Sequence, residues 1–170
     1  MRNSTGLVKA LTASAVFAAI AVTANPAAAQ NVPAQDASAQ AAYRDIEQTL
    51  GSVPTFFKMF PEVGIAGAWA EFKSVQLNPK TALNGKTKEL IGLAVSAQIP
   101  CQYCIYFHTA MARANGATDE EVREAVAMAA ISRHWSTVLN GMQVDLSGFK
   151  QETDTVLRVA GERAKASKSQ

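Results

Sequence analysis

The chain has 170 residues, with 16 Lys and Arg, 14 Asp and Glu, 2 His and a formal net charge of +2. No polybasic run follows the first residues, so the charge pattern gives no reason to expect binding to nucleic acid or an anionic membrane surface. A chain of this length normally forms one domain that buries roughly two thirds of its unfolded surface. It therefore needs no disulfide in order to fold.

The N-terminus has the pattern of a secretory signal. The basic residues Arg2 and Lys9 precede an apolar run over residues 10–24. The small residues at 27–29 form the pattern that a signal peptidase cleaves. The run is shorter than the about 20 apolar residues of a spanning helix. We expect removal of residues 1–29, export to the periplasm, a formal charge that falls from +2 to zero, and no stable membrane association afterwards.

Residues 30–41 are rich in Ala, Gln, Asn and Pro, which predicts a flexible lead-in. Asp36 or Ser38 can cap a first helix, which ends at Gly51. Apolar residues at three- and four-residue spacing indicate this helix: Tyr43, Ile46 and Leu50.

Two further helices are predicted before the cysteines. Residues 55–60 form a brief apolar turn, and Pro61 starts a helix that runs to about Leu77. Residues 86–98 form the next helix, which is apolar on nearly every face and is therefore expected to be buried between others. Glu89 lies one turn inside this helix.

The helix over residues 101–114 ends at Asn115-Gly116, which is a left-handed stop. Thr118 and Glu121 then fit a capping box that opens another helix. The stretch over residues 134–140 either continues that helix or follows a kink.

The last predicted helix covers residues 145–163, and residues 164–170 are expected to form a frayed tail. Its inward-facing apolar residues are predicted to be Leu146, Phe149, Val156 and Val159. No hairpin turn joins alternating strands anywhere in the sequence, so we predict an all-α fold.

The chain's only two cysteines, Cys101 and Cys104, are followed by His108, one of its two histidines. Helix positions three and four apart are neighbours, with Cβ atoms about 5–6 Å apart, so each of these residues is predicted to meet the next. The start of the helix favours a thiolate at Cys101. His108 can instead take the proton of Cys104 as a general base. Each thiol therefore has its own route to activation.

Glu89 precedes Cys101 by twelve residues, on the helix before it. The short connection over residues 98–100 would fold that helix back against the cysteine helix. In this apolar setting the Glu89 carboxylate could pass protons. Ser96 would share the helix face of Glu89.

The order Glu89, eleven residues, Cys101, two residues, Cys104, three residues, His108 resembles the signature of the AhpD-like alkylhydroperoxidases within the carboxymuconolactone decarboxylase family. Residues 88–96 and 116–122 also resemble segments of that family. On this resemblance we assign residues 42–163 to an AhpD-like domain.

The resemblance implies a compact helical fold that assembles into homotrimers or homohexamers. It also implies a hydroperoxide substrate, with Cys104 as the attacking thiol, Cys101 as the resolving thiol, and His108 with Glu89 as a proton relay. No cofactor or metal is implied, but an external dithiol must reduce the resulting disulfide. Cytoplasmic two-repeat members resemble enzymes recharged through a lipoyl-bearing protein, a partner unavailable to an exported protein.

Three alternatives stay open. A decarboxylase or lactone-acting enzyme could use the same scaffold without redox turnover, and it would not need two thiols. A metal-binding assembly module could use Glu89, Cys101, Cys104 and His108 as zinc ligands, although structural zinc sites normally draw ligands from two separated knuckles. An inert disulfide would stabilise little, because so small a loop contributes only about 2 kcal/mol. Covalent haem attachment is excluded, because its motif requires a histidine directly after the second cysteine and this chain has Ile105 there.

Overall fold

The computed structural model describes the backbone of residues 32–168 and the side chains of residues 38–168, so the predicted signal over residues 1–29 lies outside them. Within this part of the chain all regular structure is helical, which confirms the all-α prediction. The helices are α1 (Val32–Leu50), α2 (Thr55–Lys58), α3 (Glu62–Val75), α4 (Gly85–Gln98), α5 (Gln102–Ala114), α6 (Asp119–Gly141) and α7 (Leu146–Lys168). None of these described helices is long and apolar enough to cross a membrane.

The chain divides into two compact units, one ending at Ala66 and the other beginning at Gly67. In the first unit, α1 begins at Val32, so the cap expected at Asp36 or Ser38 is wrong and the helix enters the predicted lead-in. Alanine and glutamine are good helix formers, which accounts for the extension. The helix ends at Gly51, whose φ of +79° suits a residue without a side chain. The buried apolar side chains of this unit are Ala39, Ala42, Ile46, Phe57 and Ile65.

In the second unit, α4 is the central helix and packs against both α5 and α6. Leu93 of α4, Ala112 of α5 and Ala129 of α6 are buried. The expectation that α4 is covered on every face is wrong, because Ile91 and Val95 are exposed. The apolar residues of α4 therefore lie on two faces. One face is buried within the described chain, and the other is exposed to solvent.

Polar contacts fasten α6 to both ends of α4. Near the start of α4, the Lys86 ammonium lies 2.7 Å from a Glu121 carboxylate oxygen. At its end, the Arg133 guanidinium donates to Gln98 Oε1 at 2.7 Å, and Gln98 Nε2 donates to the Ala129 carbonyl. Since Gln98 immediately precedes the turn into α5, these contacts fix where the cysteine segment begins.

The predicted boundaries around α6 are confirmed. The Gly116 backbone has φ of +84°, as expected for the stop after α5. The Thr118 side chain accepts from the Glu121 N–H at 3.1 Å, and Glu121 Oε2 accepts from the Thr118 N–H at 2.8 Å, which completes the capping box. The helix then continues without interruption to Gly141, so residues 134–140 extend it.

Helix α7 departs most from the prediction. It runs to Lys168 rather than ending near Arg163, and none of its side chains is buried. Leu146, Phe149 and Val156 were expected to face inward, but all three are exposed. An amphipathic pattern identifies which face of a helix is apolar, but it does not say which surface will cover that face.

Candidate active site

The two cysteines lie at the N-terminus of α5 and are joined by a disulfide, with their Cα atoms 5.3 Å apart. Cys101 is the N-cap residue, and its Sγ accepts a hydrogen bond from the Cys104 N–H at 3.2 Å. The helix consequently begins at Gln102, one residue later than predicted. Both cysteines are half-buried, so neither is fully shielded from solvent.

Glu89 and His108 form the second pair. His108 Nδ1 lies 2.7 Å from Glu89 Oε2, across the packed faces of α5 and α4. Glu89 is only 2% exposed. With Glu89 ionised and the imidazole neutral, Nδ1 is the donor in this contact and Nε2 keeps the lone pair. The resemblance implied that these two residues act together, and their role as a proton relay stays a prediction.

The disulfide and the His–Glu pair are adjacent along α5. Cys104 and His108 stand four residues apart on this helix, which brings their Cβ atoms to about 5–6 Å. Among residues 38–168, no hydrogen bond joins the His108 ring to either sulfur. The activation of Cys104 by His108 therefore stays a prediction.

Gly92 provides the space that the His108 ring occupies. A Cβ atom built at Gly92 would lie 2.5 Å from His108 Nδ1 and Cε1, well inside van der Waals contact. The sequence contained a signal for this contact. A glycine within a helix costs about 1 kcal/mol relative to alanine, so its presence indicates that another group packs closely against the helix at that position. Ser96, buried on the Glu89 side of α4 as predicted, donates its hydroxyl to the Gly92 carbonyl at 2.6 Å.

Gln76 is a polar contact of the site that the sequence analysis missed. Its Nε2 donates to Glu89 Oε1 at 3.2 Å, so each oxygen of this carboxylate has a partner. Gln76 lies thirteen positions before Glu89, on the other side of a loop. No spacing rule joins positions at this separation, so the single sequence contained no signal for the contact.

Aromatic side chains border the imidazole on its own helix. Phe107 lies edge-on to the His108 ring, with centroids 5.4 Å apart, and it also contacts Phe72 at 6.4 Å. Tyr103 and Tyr106, which flank Cys104, are exposed. The His–Glu pair therefore has an apolar border, whereas the disulfide lies next to an aromatic surface open to solvent.

Within the described residues, no three His, Cys, Asp or Glu side chains form a group suited to holding a metal ion. Two of the four ligands of the zinc alternative are instead bonded to each other as a disulfide. The arrangement present is one of a reducible sulfur–sulfur bond and a hydrogen-bonded imidazole. Such a set can move electrons at sulfur and protons at nitrogen.

The class defined by these features is an all-helical protein with a C-x-x-C disulfide at a helix N-terminus and a buried carboxylate–imidazole pair beside it. Residues 64–145 match the model of the carboxymuconolactone decarboxylase family. The fold matches the crystal structure of the alkylhydroperoxidase AhpD core from Rhodospirillum rubrum with a TM-score of 0.57 and 28% identity, covering 72% of this chain and 89% of that one. Together, the family match and the structural match support an AhpD-like protein of the carboxymuconolactone decarboxylase family.

A curated relative is similar over a shorter segment. It is described as uncharacterized protein 4 in the cox locus of Paracoccus denitrificans, and it is 44% identical over 52 residues. The match spans 31% of this chain and 47% of the relative, less than half its length. The family match supports alkylhydroperoxidase-type or related activity only at the level of the family, which also includes decarboxylases.

Proposed function

We propose that this protein is an exported, thiol-dependent hydroperoxide reductase that cycles between a Cys101/Cys104 dithiol and the corresponding disulfide. The observation that carries the proposal is the disulfide at the start of α5, one helical turn from an imidazole that is hydrogen-bonded to a buried carboxylate. Lactone or decarboxylation chemistry has no use for paired thiols. The disulfide therefore favours peroxide chemistry over that alternative.

The oxidative step uses Cys104 as the nucleophile. Its thiolate attacks one oxygen of the hydroperoxide, the O–O bond breaks, and the leaving alkoxide takes a proton from the imidazolium of His108 to become an alcohol. Cys104 is left as a sulfenic acid. Glu89 holds the imidazole through Nδ1. Nε2 is therefore the nitrogen that takes the proton from the Cys104 thiol and then donates it to the leaving alkoxide.

The resolving step uses Cys101. Its thiol sulfur attacks the Cys104 sulfenic sulfur, a disulfide forms, and the hydroxyl leaves as water with the proton of the attacking thiol. The Cys104 N–H donates to Cys101 Sγ, and such a donor favours negative charge on that sulfur. An external dithiol then supplies two electrons and two protons and becomes a disulfide itself.

The proposed periplasmic location depends on the signal-like pattern of residues 1–29. Expression of the full chain, followed by fractionation and N-terminal sequencing, tests it, with a new N-terminus at Gln30 expected. Retention of the apolar segment in the recovered protein would contradict the cleavage. Export would require a dithiol reductant in the same compartment, so we expect a thiol carrier of that compartment as the electron donor.

We also propose assembly into homotrimers or homohexamers. Exposed apolar residues follow one another along α4 and the turn after it, namely Ile91, Val95 and Ile99, and contiguous apolar surface of this kind is typical of protein interfaces. Light scattering on the wild-type protein should give a threefold or sixfold mass. Val95→Lys should reduce it, whereas an unchanged monomeric mass for both proteins would contradict the assembly.

Stopped-flow mixing of the reduced protein with a hydroperoxide tests the proposed reaction. Cys101→Ser should react once and stop at a sulfenic acid on Cys104, which a sulfenic-acid-reactive dione labels. Cys104→Ser should consume peroxide at least a hundredfold more slowly, and it should not be labelled. Labelling of Cys104→Ser instead would reverse the two roles, and unchanged rates in both variants would end the peroxidase assignment.

A double variant tests the lactone alternative. With both cysteines replaced by serine, peroxide consumption should be lost. If that double variant instead retained full activity on a lactone acid that the wild type also converts, the scaffold would be acting without its thiols.

A further inference from the structure

The end of α3 contributes one side chain to the carboxylate of the site. Gln76 follows the last residue of α3, and its backbone N–H continues the helical pattern by donating to the Phe72 carbonyl at 2.9 Å. From this position its amide Nε2 reaches Glu89 Oε1 at 3.2 Å. The amide nitrogen must be the atom facing Glu89, because a carboxylate oxygen needs a donor.

Lys88 holds the segment that carries Gln76. The Lys88 ammonium donates to the carbonyl of Val75 at 2.6 Å and to the carbonyl of Asn78 at 2.8 Å, on either side of Gln76 in the sequence. These carbonyls lie at the C-terminal end of α3, where a cation is favoured. Adjacent residues of α4, Lys88 and Glu89, therefore bind the backbone and the side chain of the same short segment.

The two hydrogen bonds to Glu89 divide its oxygens between two donors. Oε1 accepts from Gln76 and Oε2 faces His108 Nδ1. With both oxygens engaged, the carboxyl group cannot rotate without breaking one contact. Since Glu89 is nearly inaccessible to water, solvent offers few replacements for a lost donor.

We propose that Gln76 is a positioning residue of the site, which fixes the Glu89 carboxylate so that His108 keeps its proton on Nδ1 and presents Nε2 as the base. Its importance for peroxide reduction rests on the proposed function, but its effect on the imidazole does not. Gln76 touches neither sulfur nor substrate in this account. It acts through Glu89, and Glu89 acts through His108.

The test compares Gln76→Met with the wild type. Methionine has a similar length and no amide, so it removes the donor while filling the space. Gln151→Met is the matched control, because it makes the same chemical change on exposed α7. Gln76→Asn is a second variant that keeps an amide but is one methylene too short to reach Glu89.

Nitrogen-15 NMR of the histidine rings is the first measurement, made near pH 8.5, where ordinary imidazoles are neutral. The wild type should show His108 mainly protonated at Nδ1. Gln76→Met and Gln76→Asn should shift His108 toward a mixture of both tautomers, while His134, the other histidine, and the Gln151→Met protein stay unchanged. The same His108 tautomer in wild type and both Gln76 variants would overturn the proposal.

Peroxide consumption is the second measurement. Both Gln76 variants should react about tenfold more slowly than wild type, the factor expected for loss of one positioning hydrogen bond, and Gln151→Met should react at the wild-type rate. A wild type that consumes no peroxide while the tautomer still depends on Gln76 would end the proposed function and leave this inference standing. A changed tautomer with an unchanged peroxide rate would overturn the catalytic importance of Gln76.

Discussion

Helices α4 and α7 both carry many apolar residues, yet they are used in different ways. Helix α4 packs against α5 and α6 and buries Glu89, Leu93 and Ser96. Helix α7 is longer, and it buries none of its side chains. The difference teaches that an apolar face becomes core only where connections of suitable length bring other helices against it. The short turn between α4 and α5 does this, and it also brings the thiols to the carboxylate.

The largest difference between the two helices should appear when a leucine is shortened. Leu93 of α4 is 1% exposed, whereas Leu157 of α7 is 65% exposed. We expect Leu93→Ala to lower the free energy of unfolding by about 2–5 kcal/mol, through lost burial and the cavity left behind. Leu157→Ala should change it by less than about 0.5 kcal/mol. Urea denaturation of both variants checks this, and equal losses would mean that α7 is covered in solution.

Glycine-to-alanine changes should have opposite signs in the two helices. Gly92→Ala would drive a methyl group into the His108 ring, so we expect a loss of about 1–3 kcal/mol in unfolding free energy and slower peroxide consumption. Gly161→Ala meets nothing within 4 Å on α7 and should stabilise by up to about 1 kcal/mol.

A double variant isolates the clash at Gly92. If the methyl group acts by displacing the imidazole, Gly92→Ala should cost much less stability in a His108→Ala background. Additive losses in the double variant would show that the ring is not the obstacle.

The capping box at the start of α6 should have a smaller effect. Thr118→Ala removes the hydroxyl that accepts from the Glu121 N–H, and we expect a loss of about 1 kcal/mol in unfolding free energy. Thr153→Ala is the matched control, since its hydroxyl bonds to a carbonyl within exposed α7. Thermal unfolding monitored by circular dichroism compares them, and an equal loss in the control would argue against the cap.

The smallest expected effect is a pH dependence of the folding stability, which arises at Glu121 in the same cap. The Lys86 ammonium, and then the Thr118 N–H, hold the pKa of Glu121 below its ordinary value. This stabilisation is fully present above the unfolded-state pKa and is lost as pH falls through the lower folded-state pKa. The effect is small because the Lys86 and Glu121 side chains are 34% and 35% exposed and solvent screens them.

Glu121→Gln should therefore flatten the acid side of a plot of melting temperature against pH. Glu152→Gln on exposed α7 should leave the slope as in the wild type. A steeper slope in Glu121→Gln would reverse the sign of the proposed linkage.

Local signals predicted most of the second unit. Gly116, Thr118 and Glu121 act through the backbone within a few residues, so the stop of α5 and the start of α6 could be predicted from the chain alone. The closeness of Cys101 to Cys104 was predicted from helical spacing, although Cys101 is the N-cap of α5 and not one of its helical residues. The contact of Gln76 with Glu89 and the approach of His108 to Gly92 could not be predicted in this way, because no spacing rule within a helix connects these residues.

The amino-acid sequence by itself determined the helical class, the stop of α5 and the cap of α6, and the placing of two thiols and an imidazole at and after the start of one helix. These properties depend on backbone hydrogen bonds and on spacing within a few residues. Only the tertiary structure decided which oxygen of Glu89 faces His108, that Gln76 engages the other oxygen, and that α7 keeps its apolar side chains exposed. Those outcomes depend on contacts between distant segments, whose distances no local pattern specifies.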